Sequence, residues 1–389
     1  LFTQFYVNSG VCSPSLTAVM TGQFPARHRI HSHLDEPRLN AERDMPNWLD
    51  PAIPMLTRLL RDAGYATAHF GKWHLGSGKG APDPGRYGID DHRTLDSSGP
   101  GWKIKYESGF GSQSTALIVD EAIRFIEAHS DEPFYINLWA LIPHAPLNPT
   151  RKQMRPHRHY GPLRVPHAGA APIYYGAVSG LDSEVGRLME KLDELGLTNK
   201  TLVIFSSDNG PEDIHVPEAN HSGIGSPGPL RGRKRSLYEG GVRVPFIVRW
   251  PGKVPAGRVD DDSVVTGVDL MPTLCRLAGA EIPPDHRPDG EDRAGVLLGS
   301  PTPRKKPLYW EWRFHSVGHV FNRSPRLAVR DGKWKLLMNP DGSRVELYDI
   351  PVDRREMTNL AGAHPEVVQQ LSKRLLAWWK TLPEGMVYD

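Results

Sequence analysis

The chain has 389 residues, of which 39% are hydrophobic and 24% charged, with a formal net charge of +2. That balance belongs to a globular protein with a large core and argues against a nucleic-acid partner held by overall charge. No apolar run reaches the roughly 18 to 20 residues a membrane span needs, and Cys12 and Cys275, the only cysteines, form neither a disulfide framework nor a metal finger.

The first residues, Leu1-Phe2-Thr3-Gln4-Phe5-Tyr6-Val7, read as the inside of a strand. The expectation is that an N-terminal segment has been cut away. Val11-Cys12-Ser13-Pro14-Ser15 leads into a short helical stretch that Gly22 ends. Pro14 in the first turn leaves the thiol beside free backbone N–H groups and the positive end of the helix dipole. Such a spot binds tetrahedral oxyanions and can activate a nucleophile, although a lone cysteine is ordinarily a buried core residue.

From residue 50 to about 300, short apolar runs alternate with helical patterns, the signature of a parallel sheet covered by helices. A helix opened by Pro54 carries Leu56, Leu59 and Leu60 on one face and ends at Gly64. A strand over 65–70 runs into Gly71-Lys72-Trp73-His74-Leu75-Gly76. A helix over 114–129 precedes a strand over 134–141 and the loop Pro143-His144-Ala145-Pro146. A third helix, over 179–195, precedes a strand over 201–205 and the loop Ser207-Asp208-Asn209-Gly210. Open α/β sheets bind ligands beyond the carboxyl ends of their strands. Lys72, His74, His144, Asp208 and Asn209 are therefore expected at one edge of the sheet, as a site.

A helix over 268–277 follows, and Gly299-Ser300-Pro301-Thr302-Pro303 reads as a linker. Beyond it Asp331-Gly332 separates two strand-like runs, a two-residue hairpin signal, and a helix over 365–381 closes the chain. The fold class is α/β: a large, mostly parallel sheet flanked by helices, plus a small C-terminal antiparallel sheet-and-helix domain. The expected division is a catalytic domain over 1–303 and a small α+β subdomain over 304–389.

Cys12-Ser13-Pro14-Ser15 with Thr21-Gly22 resembles the signature of the formylglycine-dependent sulfatases. Gly71-Lys72-Trp73-His74-Leu75-Gly76 resembles their second motif. Ser207-Asp208-Asn209-Gly210, Leu230-Arg231-Gly232-Arg233-Lys234 and Tyr238-Glu239-Gly240-Gly241-Val242-Arg243-Val244-Pro245 also match, in the family's order. The likeness is nearest to arylsulfatases and N-acetylgalactosamine-6-sulfatases. It implies an alkaline-phosphatase-like fold, a Cys12 converted to formylglycine by the formylglycine-generating enzyme, one Ca²⁺ at Asp208, Asn209 and residue 12, and a periplasmic or secreted enzyme acting on sulfated carbohydrates.

The roles that the resemblance implies suit the residue types. Hydrated formylglycine at position 12 attacks sulfur. Lys72 and Lys234 bind sulfate oxygens, His144 protonates the leaving oxygen, and His74 takes a proton from the remaining hydroxyl. Arg233 and Arg235 are candidates to face an anionic substrate, and Trp73 and Trp102 to flank a sugar. Two departures matter. Leu16 stands where the family usually has the arginine that assists maturation, and two further metal-binding aspartates are expected from a segment ahead of Leu1. The residues in hand are then expected to hold metal poorly. The rival readings are a phosphate mono- or diester hydrolase of the same fold and a silent binder of sulfated glycans.

Overall fold

The computed structural model describes residues 1–95, 97–99, 101–102, 110–161, 169–315 and 317–385. Its strands are β1 (Phe2–Tyr6), β2 (Ala66–Lys72), β3 (Asp91–Leu95), β4 (Phe134–Trp139), β5 (Val203–Ser206), β6 (Arg243–Arg249), β7 (Val265–Thr266), β8 (Leu308–Glu311), β9 (Leu327–Asp331), β10 (Trp334–Met338) and β11 (Glu346–Asp349). They form three sheets, in the orders β3-β2-β4, β5-β6-β1-β7 and β11-β10-β9-β8.

The first sheet is parallel throughout: helix Phe110–Ala128 lies between β3 and β4, and a long connection with the 3-10 turn Pro84–Tyr87 joins β2 to β3. The second is mixed: β6 runs antiparallel to both β1 and β5. The strands of this region are thus mostly paired in parallel, as expected, with β6 the exception. The chain from β5 to β6 passes through loops, the 3-10 turns Pro217–Ile224 and the short turn Glu239–Val242, with no long crossover helix to carry it back parallel. Among the described residues β4 and β5 each keep one edge without a ladder partner, and both strands line a cavity of about 1410 Å³.

Helices cover these sheets. Helix Phe110–Ala128 sets Ile118, Ala122 and Phe125 against Ala68 and Phe70 of β2. Burying one such side chain stabilises the fold by about 1.5–3 kcal/mol. Helix Ala171–Glu194 begins well before the expected 179. Gly176 and Gly180 weaken the local signal, yet they are where Met154 and Gln153 pack against the helix, and a Cβ at either position would meet them at 2.9 and 2.3 Å. Tertiary packing there overrides propensity. Helix Leu56–Asp62 likewise begins after Pro54 rather than at it.

The C-terminal sheet is antiparallel, and Asp331 and Trp334 close the β9–β10 hairpin around Gly332, whose φ of 56° suits glycine. Helix Pro365–Trp379 lays Leu371, Leu375 and Trp378 over Leu327, Val329, Leu336 and Leu347. The other face of this sheet meets β1 and β6 through Trp310, Ala328 and Leu337. A fully buried ionic joint crosses the same interface. Lys335 on β10 bonds Glu239 at 2.8 Å and reaches Glu356 at 3.0 Å. Glu239 also accepts from the Tyr6 hydroxyl at 2.6 Å and from Arg243 at 3.2 Å.

Candidate active site

Helix Cys12–Thr21 starts with the cysteine itself, so its thiol lies in the first turn, where unpaired N–H groups and the dipole favour an anion by about 0.3–1 kcal/mol. The turn is fixed from several sides. Ser15 donates to the Ser9 carbonyl at 3.0 Å, and the Ser13 hydroxyl accepts from the Leu34 N–H at 3.0 Å. Cys12 is buried, and its S–H points to Asn209 Oδ1 at 3.6 Å.

Asp208 and Asn209 follow β5 directly, and the loop that carries them is packed backbone to backbone. Gly210 donates to the Gly241 carbonyl at 2.9 Å, and Lys234 N–H donates to the Pro211 carbonyl at 2.9 Å. A Cβ at Gly210 would lie 1.9 Å from the Gly240 carbonyl, and one at Gly241 would lie 2.1 Å from that of Ser236. Only glycine lets these strands of loop approach so closely. Arg235 N–H donates to the Gly10 carbonyl at 2.8 Å, which ties the Lys234 loop to the cysteine loop.

Lys72 ends β2, with His69 bonded to its carbonyl at 2.9 Å. His74 adopts a φ of 54°, uncommon outside glycine and frequent at functional positions, and its Nε2 bonds the Leu34 carbonyl at 3.0 Å. His144 lies in the loop after β4, exposed, with Nδ1 bonded to the Ala145 carbonyl at 2.8 Å. That bond assigns the proton to Nδ1 and leaves Nε2 as the nitrogen able to exchange one.

Cys12, Lys72, His144, Asp208, Asn209 and Lys234 all line this cavity of about 1410 Å³, whereas His74 is not among its lining residues. Burial, with Asp208 beside it, holds the Cys12 thiol above its usual range despite Lys72 and Lys234. A thiolate nucleophile is therefore disfavoured. Desolvation by the surrounding walls, then Lys234 and Lys72, hold His144 below the usual histidine range, although the ring keeps an open edge.

The peripheral candidates fall elsewhere. Trp102 is 7% exposed and packs with Phe70 and Ile118, and Trp73 is fully buried, so neither offers a face to a sugar. Hydrophobic burial claimed both, which composition alone does not distinguish from exposed stacking. Arg233 donates to the carbonyls of Glu212 at 2.8 Å and Gly225 at 2.6 Å, and Arg235 pairs with Glu212. Both guanidinia brace the wall rather than face a substrate. The basic run showed its charge in the sequence but not the acceptors folded onto it.

Sequence reasoning missed three neighbours. Glu212 pairs with Lys234 at 3.1 Å; against its burial, Lys234 and Arg235 hold its carboxyl below the usual range. Its place just beyond Asp208-Asn209-Gly210 was the available signal. Tyr174 joins the cavity wall. His33, its ring 6.4 Å from that of His74, is depressed to about 4 by burial and then Arg43; nothing local marks it.

Asp208 and Asn209 suit Ca²⁺ in kind, since that ion takes hard oxygen ligands. They do not suit it in number. Ca²⁺ needs about six to eight oxygens, and among the described residues no three acidic, histidine or cysteine side chains cluster as a metal site. Nor, among the described residues, is any helix long and apolar enough to cross a membrane.

Two lysines, a cysteine at a helix start and a histidine line one cavity beyond α/β strands, an arrangement suited to an anionic ester. Residues 1–280 match the sulfatase family model, and residues 232–381 match that of the N-sulphoglucosamine sulphohydrolase C-terminal region. The chain is 27% identical to an N-acetylgalactosamine-6-O-sulfatase of Bacteroides thetaiotaomicron, over 96% of this chain and 85% of that one. It is 31% identical to arylsulfatase A of Homo sapiens, over 96% and 79% respectively. The solved structure of Ps i-CgsB in complex with k-i-k-neocarrahexaose is similar with a TM-score of 0.78 at 25% identity, covering 97% of this chain and 84% of that one. The chain belongs to the sulfatase family, on the alkaline-phosphatase-like fold. It is a sulfuric ester hydrolase.

Proposed function

We propose that the chain removes sulfate from sulfated carbohydrates, using residue 12 as formylglycine. The observation that carries this is the meeting of Cys12, Lys72, Lys234, His144, Asp208 and Asn209 in one cavity. The relatives support the substrate class: one is named for an N-acetylgalactosamine sulfate, and the Ps i-CgsB structure holds a neocarrahexaose.

Formylglycine, when hydrated, supplies a hydroxyl for in-line attack on sulfur, a better nucleophile here than a thiol held protonated by burial. Lys72 and Lys234 neutralise the sulfate oxygens as point charges, and Glu212 holds Lys234 in place. His144 delivers the proton from Nε2 to the leaving oxygen while Nδ1 stays on Ala145. His74, its Nε2 held by Leu34, keeps Nδ1 as the basic nitrogen that takes up the proton as sulfate departs. The cation in this proposal is Ca²⁺ at Asp208 and Asn209, with ligands beyond these two needed to complete it. Maturation by the formylglycine-generating enzyme and export to the periplasm or medium belong to the same proposal.

The test is mass spectrometry of the 1–27 region in full-length protein from its native host, followed by turnover of sulfate and phosphate esters of one alcohol. Formylglycine at position 12 with preferential sulfate release supports the reading. An unmodified thiol with phosphate release would make the chain a phosphohydrolase. The silent-binder reading has one observation behind it: Leu16, in place of the usual arginine, is packed among Met20, Ile30 and Leu34. Binding without release of sulfate would establish it.

A further inference from the structure

Between Glu132 and Asp182 the sequence has no acidic residue, and this stretch carries Arg151, Lys152, Arg155 and Arg158. They lie on the helical turn Arg151–Met154 and the 3-10 turns Arg155–Tyr160 that follow, and all four are exposed. Among the described residues, none of the four makes an ion pair or a side-chain hydrogen bond. The contrast with nearby helices is direct. Arg124 is held by Asp91 and Glu121, and Arg187 by Asp120 and Glu184. Like charges near one another repel, so four exposed cations without a counter-charge among the described residues are a surface on which a polyanion would relieve that repulsion.

The strip is rigid and stands beside the site. Thr150 and Gln153 form a capping box at its start. His157 bonds Ser179 Oγ at 2.8 Å, and Met154 and Gln153 seat on Gly176 and Gly180 of helix Ala171–Glu194. The same helix gives Tyr174 to the cavity wall. Arg151 follows His144 by seven positions on one loop, which bounds their separation at roughly 25 Å. Tyr160, Tyr175 and His157 add ring faces, with centroid distances of 5.0 Å for Tyr160–Tyr175 and 5.7 Å for His157–Tyr175.

We propose that Arg151, Lys152, Arg155 and Arg158 form an outer anion subsite that holds further sulfated sugars of a polymeric substrate whose scissile ester lies at residue 12. The inference rests on the sulfated-carbohydrate reading and narrows it from small sulfate esters to chains carrying several anionic groups. Exposed cations on two consecutive turns, within roughly 25 Å of a cavity that takes a sulfate ester, suit a chain that repeats its sulfates; a nucleic acid is the rival polyanion that the experiment separates.

The test uses the full-length protein in a Cys12→Ala background, so that the probe is not consumed. Calorimetry measures binding of a chondroitin 6-sulfate decasaccharide, of N-acetylgalactosamine 6-sulfate, and of a DNA oligonucleotide matched in charge to the decasaccharide. Replacing all four cations with glutamine should weaken decasaccharide binding roughly tenfold to a hundredfold and flatten its salt dependence, as four lost surface ion pairs would. Binding of the monosaccharide should change less than twofold. An unchanged decasaccharide affinity, or DNA bound as tightly with the same loss, overturns the subsite. Sulfate release by the unsubstituted chain, measured separately, decides the catalytic reading, so the two can fail independently. Melting temperatures of both proteins confirm that the fold is retained.

Discussion

Two clusters of charge in this molecule are built on opposite plans. At the joint between β1, β6 and the C-terminal sheet, Lys335, Glu239 and Glu356 are all fully buried and answer one another. Burial, with Glu239 close by, pushes Glu356 up to about 7, while against its own burial Lys335, Arg330 and Arg243 hold Glu239 low, at about 2. In the cleft, Lys72, Lys234 and His144 instead border an open cavity, and Glu212 serves both Lys234 and Arg235. The lesson is a division of labour. Charges at the joint are enclosed by one another, whereas those of the cleft, Lys234 with its Glu212 partner included, border space that an anion can fill.

That division predicts which property each substitution damages. The largest effect should come from Cys12→Ala, with kcat for a sulfated substrate falling on the order of 10⁴-fold or more and denaturant stability little changed. If kcat survives, residue 12 is not the nucleophile and the cleft half of the comparison breaks. The mirror experiment is Lys335→Met. Two carboxylates would be left buried without their ammonium, at a cost of about 3–5 kcal/mol in urea unfolding. A loss below about 1 kcal/mol would show that the buried joint does not carry the stability assigned to it. Next in size, Lys234→Ala and Lys72→Ala should each lower kcat by about 10²–10³-fold and shift melting only slightly. A large stability loss from either would blur the distinction.

How the two clusters were legible in the sequence follows the same line. Half of the cleft was readable from strand ends: Lys72 is the last residue of β2, and His144 and Asp208 lie in the loops that follow β4 and β5. Strand ends and glycine-rich loops are local signals. The joint was invisible because its pairs join distant parts of the chain, as Glu239 does with Lys335 and Tyr6 with Arg330. Glu239 stood inside a recognised motif, yet nothing beside it indicated that its partner lay on a C-terminal strand. The Asp331-Gly332 hairpin could be read from two residues, while the antiparallel course of β6 depended on how a long loop closed. We propose residue 303 as the seam between the two parts; limited proteolysis that never cuts near it would count against the division.

The smallest expected effect is also the most diagnostic of the cleft. With His144 as the proposed acid, activity requires its protonated form and falls as pH rises through its pKa. In the free protein, desolvation and then Lys234 and Lys72 lower that pKa. The basic limb of kcat/KM should therefore lie below about 6.5, the ordinary value for histidine. Bound sulfate sets negative charge among the same lysines, so the limb of kcat, which reports the complex, should lie higher than that of kcat/KM. Lys234→Gln removes one depressing charge, and it should move the kcat/KM limb upward even as the rate drops. A limb that stays in place in Lys234→Gln, or persists unchanged in His144→Ala, would mean that another group donates the proton. The cleft would then keep its cations but lose its acid.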